Sequence, residues 1–165
     1  MKAHFEMFAA YNAWANRRLY DAAAEMDDAA LKAPAGAFFG SLFGTLSHLL
    51  IGDQAWMLRF DGDGPVPTSM EGLPFDALPA LRTAREAMDA RITGYVAALS
   101  ESDVTAEMTF STVTGPKNMT LRRDIALAHF FNHQTHHRGQ CHHMLTAAGR
   151  NAPPLDLLFY QWEIA

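Results

Sequence analysis

Residues 129–140 read HFFNHQTHHRGQ, and this segment carries the most information about both fold and chemistry. Residues four apart on an α-helix are separated by about 40° around the axis and about 6 Å along it. His129, His133 and His137 therefore form one column on a helix, which Gln140 continues. Two successive histidines of such a column can bind one first-row metal ion through their ring nitrogens. The spacing leaves two pairs open, His129 with His133 or His133 with His137, and a third ligand must come from another helix.

Away from this segment, His48 is the histidine with the most unusual surroundings. It stands in an apolar stretch of a predicted helix, where a buried imidazole needs a polar partner. Gly44 and Gly52 lie four residues to either side, although glycine inside a helix costs about 1 kcal/mol relative to alanine. We interpret them as clearing a pocket over His48 or as letting another helix approach it closely. Either arrangement favours a metal site shared by two helices, whereas a hydrogen-bonded core histidine and simple helix packing would need no metal.

Helical periodicity extends over most of the remaining chain. Apolar residues recur every three or four positions over residues 2 to about 26, 41–60 and 79 to about 99. Ser41 is a plausible N-cap for the second of these helices. On the third helix, Arg85 and Asp89 fall largely off the apolar face. A fourth long helix is predicted from Thr120, as its N-cap, to residue 148.

These four long helices predict an all-α fold, a four-helix bundle with two irregular connections. Residues 61–79 are rich in glycine and proline and are long enough for a crossover, so a simple up-and-down order is not required. Over residues 104–114, apolar and polar residues alternate as in a strand, and Gly115-Pro116 supplies a turn. This predicts a small hairpin over residues 106–120, before the last long helix. Residues 155–163 predict a further short helix.

Length and composition restrict the classes of protein. The chain has 165 residues, which suits a single domain over residues 1–165, and 49% of them are hydrophobic, enough for a packed core. The 13 Lys and Arg residues are outnumbered by 18 Asp and Glu residues, which argues against a nucleic-acid or membrane partner. The single cysteine, Cys141, excludes an internal disulfide and is best explained as a small buried hydrophobe. Without a secretory signal or an uninterrupted apolar span, we expect a cytoplasmic protein.

The chain resembles the DinB/YfiT-like superfamily over nearly its full length. The most specific part is the pattern Asn-His-x-x-His-His-Arg-Gly-Gln over residues 132–140. The resemblance also rests on residues 11–16, on His48 followed by Asp53 and Trp56, on His129, and on Gly149 with residues 153–156.

The resemblance implies a four-helix bundle, often dimeric, that holds a divalent metal through three histidines. Carried over to this sequence, the ligands are His48, His133 and His137, and zinc or nickel is the usual metal. This choice selects the second histidine pair and leaves His129 and His136 outside the ligand set.

Three hypotheses of function follow from such a site. Because the superfamily includes bacillithiol and mycothiol S-transferases and a mycothiol-dependent isomerase, the first is a metal-dependent enzyme that activates a low-molecular-weight thiol. The second is a metal-dependent hydrolase, although no carboxylate is obviously placed as a general base, since Asp53 lies about 140° around the helix from His48. The third is a non-enzymatic metal-binding protein of the stress response. No catalytic residue is assigned.

Two further residues of the segment 129–140 could support the metal site or a bound substrate. Gln140 could donate or accept a hydrogen bond at a ligand histidine. Arg138 is open to two interpretations: it binds an anionic substrate, or it pins a neighbouring helix or loop through hydrogen bonds.

Overall fold

Four long helices dominate the computed structural model, which describes every residue except Pro65, Thr68, Val113, Thr114 and Pro116. The long helices are α1 (Lys2–Ala23), α3 (Leu42–Asp61), α4 (Leu78–Ala98) and α6 (Arg123–Ala147). The shorter elements are the helices α2 (Asp28–Lys32), α5 (Glu101–Thr105) and α7 (Leu157–Ile164) and the strands β1 (Glu107–Phe110) and β2 (Met119–Arg122). The predictions of four long helices, a short C-terminal helix and a hairpin before the last long helix are confirmed.

The long helices form a bundle in which α1 and α3 each pack against both α4 and α6. Residues later in α3 contact residues later in α4, so these two helices are parallel. Residues later in α3 contact residues earlier in α6, so these two helices are antiparallel. The pairs are Asp53–Arg85 and Asp61–Arg91 for α3 and α4, and His48–His137 and Trp56–His129 for α3 and α6. Joining parallel neighbours requires a connection that returns along the bundle, and residues 62–77 provide it. The predicted crossover is confirmed.

Helix α3 is buried on several sides because α2, α4 and α6 all contact it. The Ser41 side chain accepts a hydrogen bond from the Gly44 N–H, as predicted for the N-cap. At the other end Gly62 adopts φ 76°, a left-handed conformation that glycine enters without steric cost. Even this apolar helix is not long and apolar enough to cross a membrane, and neither is any other helix among the residues described.

The core lies between the four long helices and is built mainly from leucine, phenylalanine, methionine and alanine. Burial of their apolar surface is the main stabilising contribution to the fold. Typical members are Leu46, Leu50, Leu81, Ile92 and Leu127, each at most 1% exposed. Cys141 is a free, fully buried thiol in this core, as the sequence predicted.

The hairpin predicted over residues 106–120 is present, but its first strand begins later than the alternating pattern over residues 104–114 indicates. Val104 and Thr105 belong to α5 and not to a strand, so this part of the prediction is wrong. The reason is a local capping box, because the Ser100 hydroxyl accepts from the Asp103 N–H while the Asp103 carboxylate accepts from the Ser100 N–H. The remainder of the predicted strand and its turn includes Val113, Thr114 and Pro116, which lie outside the described residues.

The two strands are antiparallel, with Glu107 opposite Arg122 and Phe110 opposite Met119. Thr120 therefore lies within β2, where its hydroxyl oxygen is 2.8 Å from that of Thr109 on β1. The prediction that Thr120 caps α6 is wrong because cross-strand pairing continues to Arg122, and α6 begins directly afterwards.

Candidate metal centre

Three histidines from two antiparallel helices converge on one point. His48 on α3 and His133 and His137 on α6 each offer a ring nitrogen, and these atoms lie within 4.8 Å of one another. The Nε2 atom of His133 is 3.3 Å from Nε2 of His48 and 3.1 Å from Nε2 of His137. Nitrogen ligands about 2.0–2.1 Å from a tetrahedral ion are themselves about 3.3 Å apart, so this spacing fits one first-row cation. The fold therefore brings together the three histidines that the resemblance selected, in a cluster that could hold a metal ion.

Hydrogen bonds at Nδ1 set the orientation of two of these rings. Nδ1 of His48 is 2.9 Å from the Met70 carbonyl oxygen, which can only accept, so the proton sits on Nδ1 and Nε2 keeps its lone pair. Nδ1 of His137 likewise donates to Oε1 of Gln140, at 2.7 Å. Both Nε2 lone pairs thus face the ring of His133, an arrangement that a cation between the rings would satisfy.

Burial keeps the three imidazoles in the form that binds metal. It lowers the pKa of His133 to about 3, with smaller contributions from His137 and His48. Burial is also the main reason why the pKa of His48 and of His137 is lowered. Neutral rings with free lone pairs are therefore present at neutral pH, and no proton has to be displaced before metal binds.

The two glycines beside His48 admit different neighbours. A Cβ atom on Gly52 would lie 3.2 Å from Cε1 of His133, so this glycine lets the α6 histidine approach α3. A Cβ atom on Gly44 would collide with the carbonyl oxygen of Phe39 in the segment before α3. The Phe39 ring in turn stacks on His48, with the ring centroids 3.7 Å apart. The prediction of a close helix approach is right for Gly52, whereas Gly44 accommodates a loop.

His129 and His136 flank the cluster and are not part of it. The His129 ring packs against Trp56, with centroids 5.1 Å apart. Nε2 of His136 lies 3.3 Å from the amide nitrogen of Gln140, whose oxygen accepts from His137. The predicted hydrogen bond between Gln140 and one of the three histidines is confirmed.

A buried polar cluster beside the histidines links three of the long helices. On α4, Arg85 pairs with Asp53 of α3 at 2.6 Å and with Asp89 at 3.0 Å. The Gln134 amide on α6 donates to Asp53. Because one guanidinium serves two carboxylates, burial prevails over its attraction and raises the pKa of Asp53 to about 6. Asp53 thus points away from His48, as predicted from its position on the helix.

Arg138 of α6 extends this cluster to α1, the fourth long helix. Its guanidinium donates to the side-chain oxygens of Asn12 and Asn16, whose amide nitrogens donate to Asp89. Arg138 is 2% exposed, so the interpretation that it pins a neighbouring helix is confirmed. We refer to Asp53, Arg85, Asp89 and Arg138 as the charge cluster, in which two positive charges balance two negative ones.

Sequence reasoning missed Arg85 and Asp89, which it placed off the apolar face of their helix. They are 2% and 7% exposed. Asp53 in the apolar sequence of α3 was the available signal, because a buried carboxylate requires a cation.

The comparisons with known proteins agree with this fold. A model of the DinB family matches residues 1–164. The chain is similar to a solved DinB-like protein from Bacillus cereus, with a TM-score of 0.66 and 18% sequence identity over 88% of this chain and 91% of that one. At that identity the likeness is one of fold. No curated protein matches the chain by sequence.

Proposed function

The chain belongs to the DinB family, and on that premise we propose that it is a divalent-metal-dependent enzyme that activates a low-molecular-weight thiol for S-transfer. The observation that carries this proposal is the convergence of the Nε2 atoms of His48, His133 and His137. Zinc or nickel is the proposed metal, because both accept neutral imidazole ligands. When bound, such a cation lowers the pKa of a thiol at its remaining coordination position and so favours the nucleophilic thiolate.

The surrounding side chains hold this site in one geometry. Met70 and Gln140 accept from Nδ1 of two of the rings and so fix the direction of each Nε2 atom. Phe39 covers one face of His48 and keeps water from it. In the proposed transfer the thiol releases its proton to water, and its sulfur forms a bond to an electrophilic carbon. The leaving group departs with the electron pair of the bond that breaks.

Thiol transfer is preferred to hydrolysis because the carboxylate considered as a general base is engaged elsewhere. Asp53 pairs with Arg85 and accepts from Gln134. A hydrolase would need a base that can reach a water molecule at the histidines.

Elemental analysis of purified protein tests the metal site. Wild type should carry about one equivalent of divalent metal, and His48→Ala should lose most of it. His143→Ala is the matched control, because His143 is an exposed histidine on the same helix as two of the ligands and lies outside the cluster. Equal metal content in wild type and His48→Ala would remove His48 from the site.

Mass spectrometry tests the reaction. Metal-loaded protein is incubated with thiols and electrophiles, and conjugates should form only when metal is bound. Full metal occupancy without any conjugate across a broad panel would contradict S-transfer and favour a non-enzymatic metal-binding protein.

We also propose that the protein is a cytoplasmic homodimer. Exposed apolar side chains on α7 support an interface; they are Leu158, Phe159, Trp162 and Ile164. Light scattering should give twice the mass of the 18.2 kDa chain, and a monomeric mass at micromolar concentration would contradict the proposal. Cell fractionation tests the location.

A further inference from the structure

A cavity of about 700 Å³ opens along α3. It lies between α3, the connection that follows α3, and the hairpin. Its walls include Ala55 and Arg59 of α3, Pro67 of the connection, Phe110 of β1 and Lys117 of the hairpin loop.

Two features place this cavity next to the histidines. His133 packs against Gly52 of α3. Ala55, which lines the cavity, is three residues after Gly52, or about 4.5 Å further along the same helix. The connection that contributes Pro67 also contributes Met70, whose carbonyl oxygen accepts from His48. One segment of chain therefore borders both the histidine cluster and the cavity.

Arg59 brings a half-buried positive charge to this cavity. The central carbon of its guanidinium lies 4.6 Å from the ring centroid of Trp56 and 5.5 Å from that of Phe110. Within the described part of the chain it makes no ion pair, and its pKa is lowered by burial with no carboxylate acting against that shift. The nearest acidic residue in sequence, Asp61, is instead paired with Arg91.

The charge of the cavity is positive although the chain as a whole carries a net charge of −5. Lys117 adds a second cation, whose Nζ donates to the Thr112 carbonyl oxygen at 3.0 Å. None of the described residues that line the cavity is acidic. An anionic group is thus the ligand that would complete the contacts of Arg59.

We propose that this cavity binds a carboxylate group of the small-molecule thiol, with the sulfur directed towards the histidine cluster. The planar guanidinium can bind both carboxylate oxygens at once, and the two aromatic rings beside it reduce its contact with water, which strengthens the pairing. Gly52 and Arg59 are seven residues apart, about 10 Å along α3, so we expect sulfur and carboxylate to be separated by a distance of that order. The role of the sulfur rests on the function proposed above, whereas the carboxylate site does not.

Calorimetry on the metal-free protein tests the carboxylate site. The probes are mercaptoalkanoic acids of increasing length and the matching primary amides, which are similar in size and shape but uncharged. In wild type the acid should bind about tenfold tighter than its amide, equivalent to about 1.4 kcal/mol. Equal affinities of acid and amide at every length would overturn the proposal without any variant.

Variants then locate the site. Arg59→Gln should abolish the preference for the acid, and circular dichroism checks that the variant is folded. Arg150→Gln, which removes the same charge from an exposed position outside the cavity, should retain the preference. A preference that persists in folded Arg59→Gln would place the anion elsewhere and refute the proposal.

The metal-loaded protein tests the role of the sulfur. A mercaptoalkanoic acid should then bind more tightly than the sulfur-free acid of equal length, and no gain from sulfur would overturn that part of the proposal. Because the acid and amide are compared without metal or turnover, failure of the proposed S-transfer would leave the result for the carboxylate site standing. S-transfer without a preference for acids would refute the carboxylate site alone.

Discussion

Replacing Gly52 by alanine should weaken metal binding without weakening the fold. The new Cβ atom would lie 3.2 Å from Cε1 of His133, whereas carbon atoms in contact prefer about 3.5–4.0 Å. His133 or its helix must therefore move by several tenths of an ångström, more than the roughly 0.2 Å by which metal–ligand distances vary. We expect the affinity for zinc, measured by competition with a chromophoric chelator, to fall at least about tenfold, or about 1.4 kcal/mol.

The metal-free protein should respond differently to the same change. Alanine is more favourable than glycine inside a helix by about 1 kcal/mol, which offsets the tight contact with His133. Urea unfolding should therefore show unchanged or slightly higher stability. Gly94→Ala is the matched control, because Gly94 lies within helix α4 at an exposed position, and a Cβ atom there would meet nothing within 4 Å. The control should gain about 1 kcal/mol and keep its metal affinity; normal zinc binding by Gly52→Ala would refute the reasoning.

Three further perturbations address other contacts. Gln140→Ala removes the acceptor for Nδ1 of His137 and should lower metal affinity about 10- to 100-fold, whereas Gln140→Glu should retain most of it; equal losses would contradict an orienting role. Since burial raises the pKa of Asp53 to about 6, the folded state binds a proton between about pH 6 and pH 4 that the unfolded state does not. The stability of wild type relative to Asp53→Asn, from urea unfolding, should therefore rise as pH falls through that range; a decrease would mean that Arg85 keeps the carboxylate charged. Burial raises the pKa of the Cys141 thiol, so mass spectrometry should detect iodoacetamide labelling only after denaturation, and rapid labelling of native protein would contradict its burial.

The features that sequence predicted correctly depend mostly on local physics. Helical spacing alone placed His133 and His137 on one face, and Ser41 was identifiable as a cap because its bond reaches only three residues along the chain. The choice between the two histidine pairs was not local. It depends on the alignment of α3 with α6, which puts Gly52 opposite His133 and Trp56 opposite His129.

Two of the wrong predictions have tertiary causes. The Thr120 side chain could cap a helix, but Thr120 pairs with Thr109 of the other strand and therefore lies within β2. Arg85 and Asp89 are four residues apart, a spacing that also describes an ordinary ion pair on a helix surface. Only the packing of α4 against α3 and α1 reveals that both are buried.

Because of the charge cluster, the effect of a substitution at one of its four positions on stability depends on the residues at the other three. Removing one member of a buried ion pair typically costs about 3–5 kcal/mol, because it leaves the remaining charge without compensation, whereas replacing all members by apolar side chains of similar volume can be neutral. Any route that exchanges Asp53, Arg85, Asp89 and Arg138 for apolar residues one at a time should therefore pass through destabilised intermediates. A stabilising redesign of this core should therefore exchange oppositely charged members together, a combination that a library of single apolar substitutions does not contain.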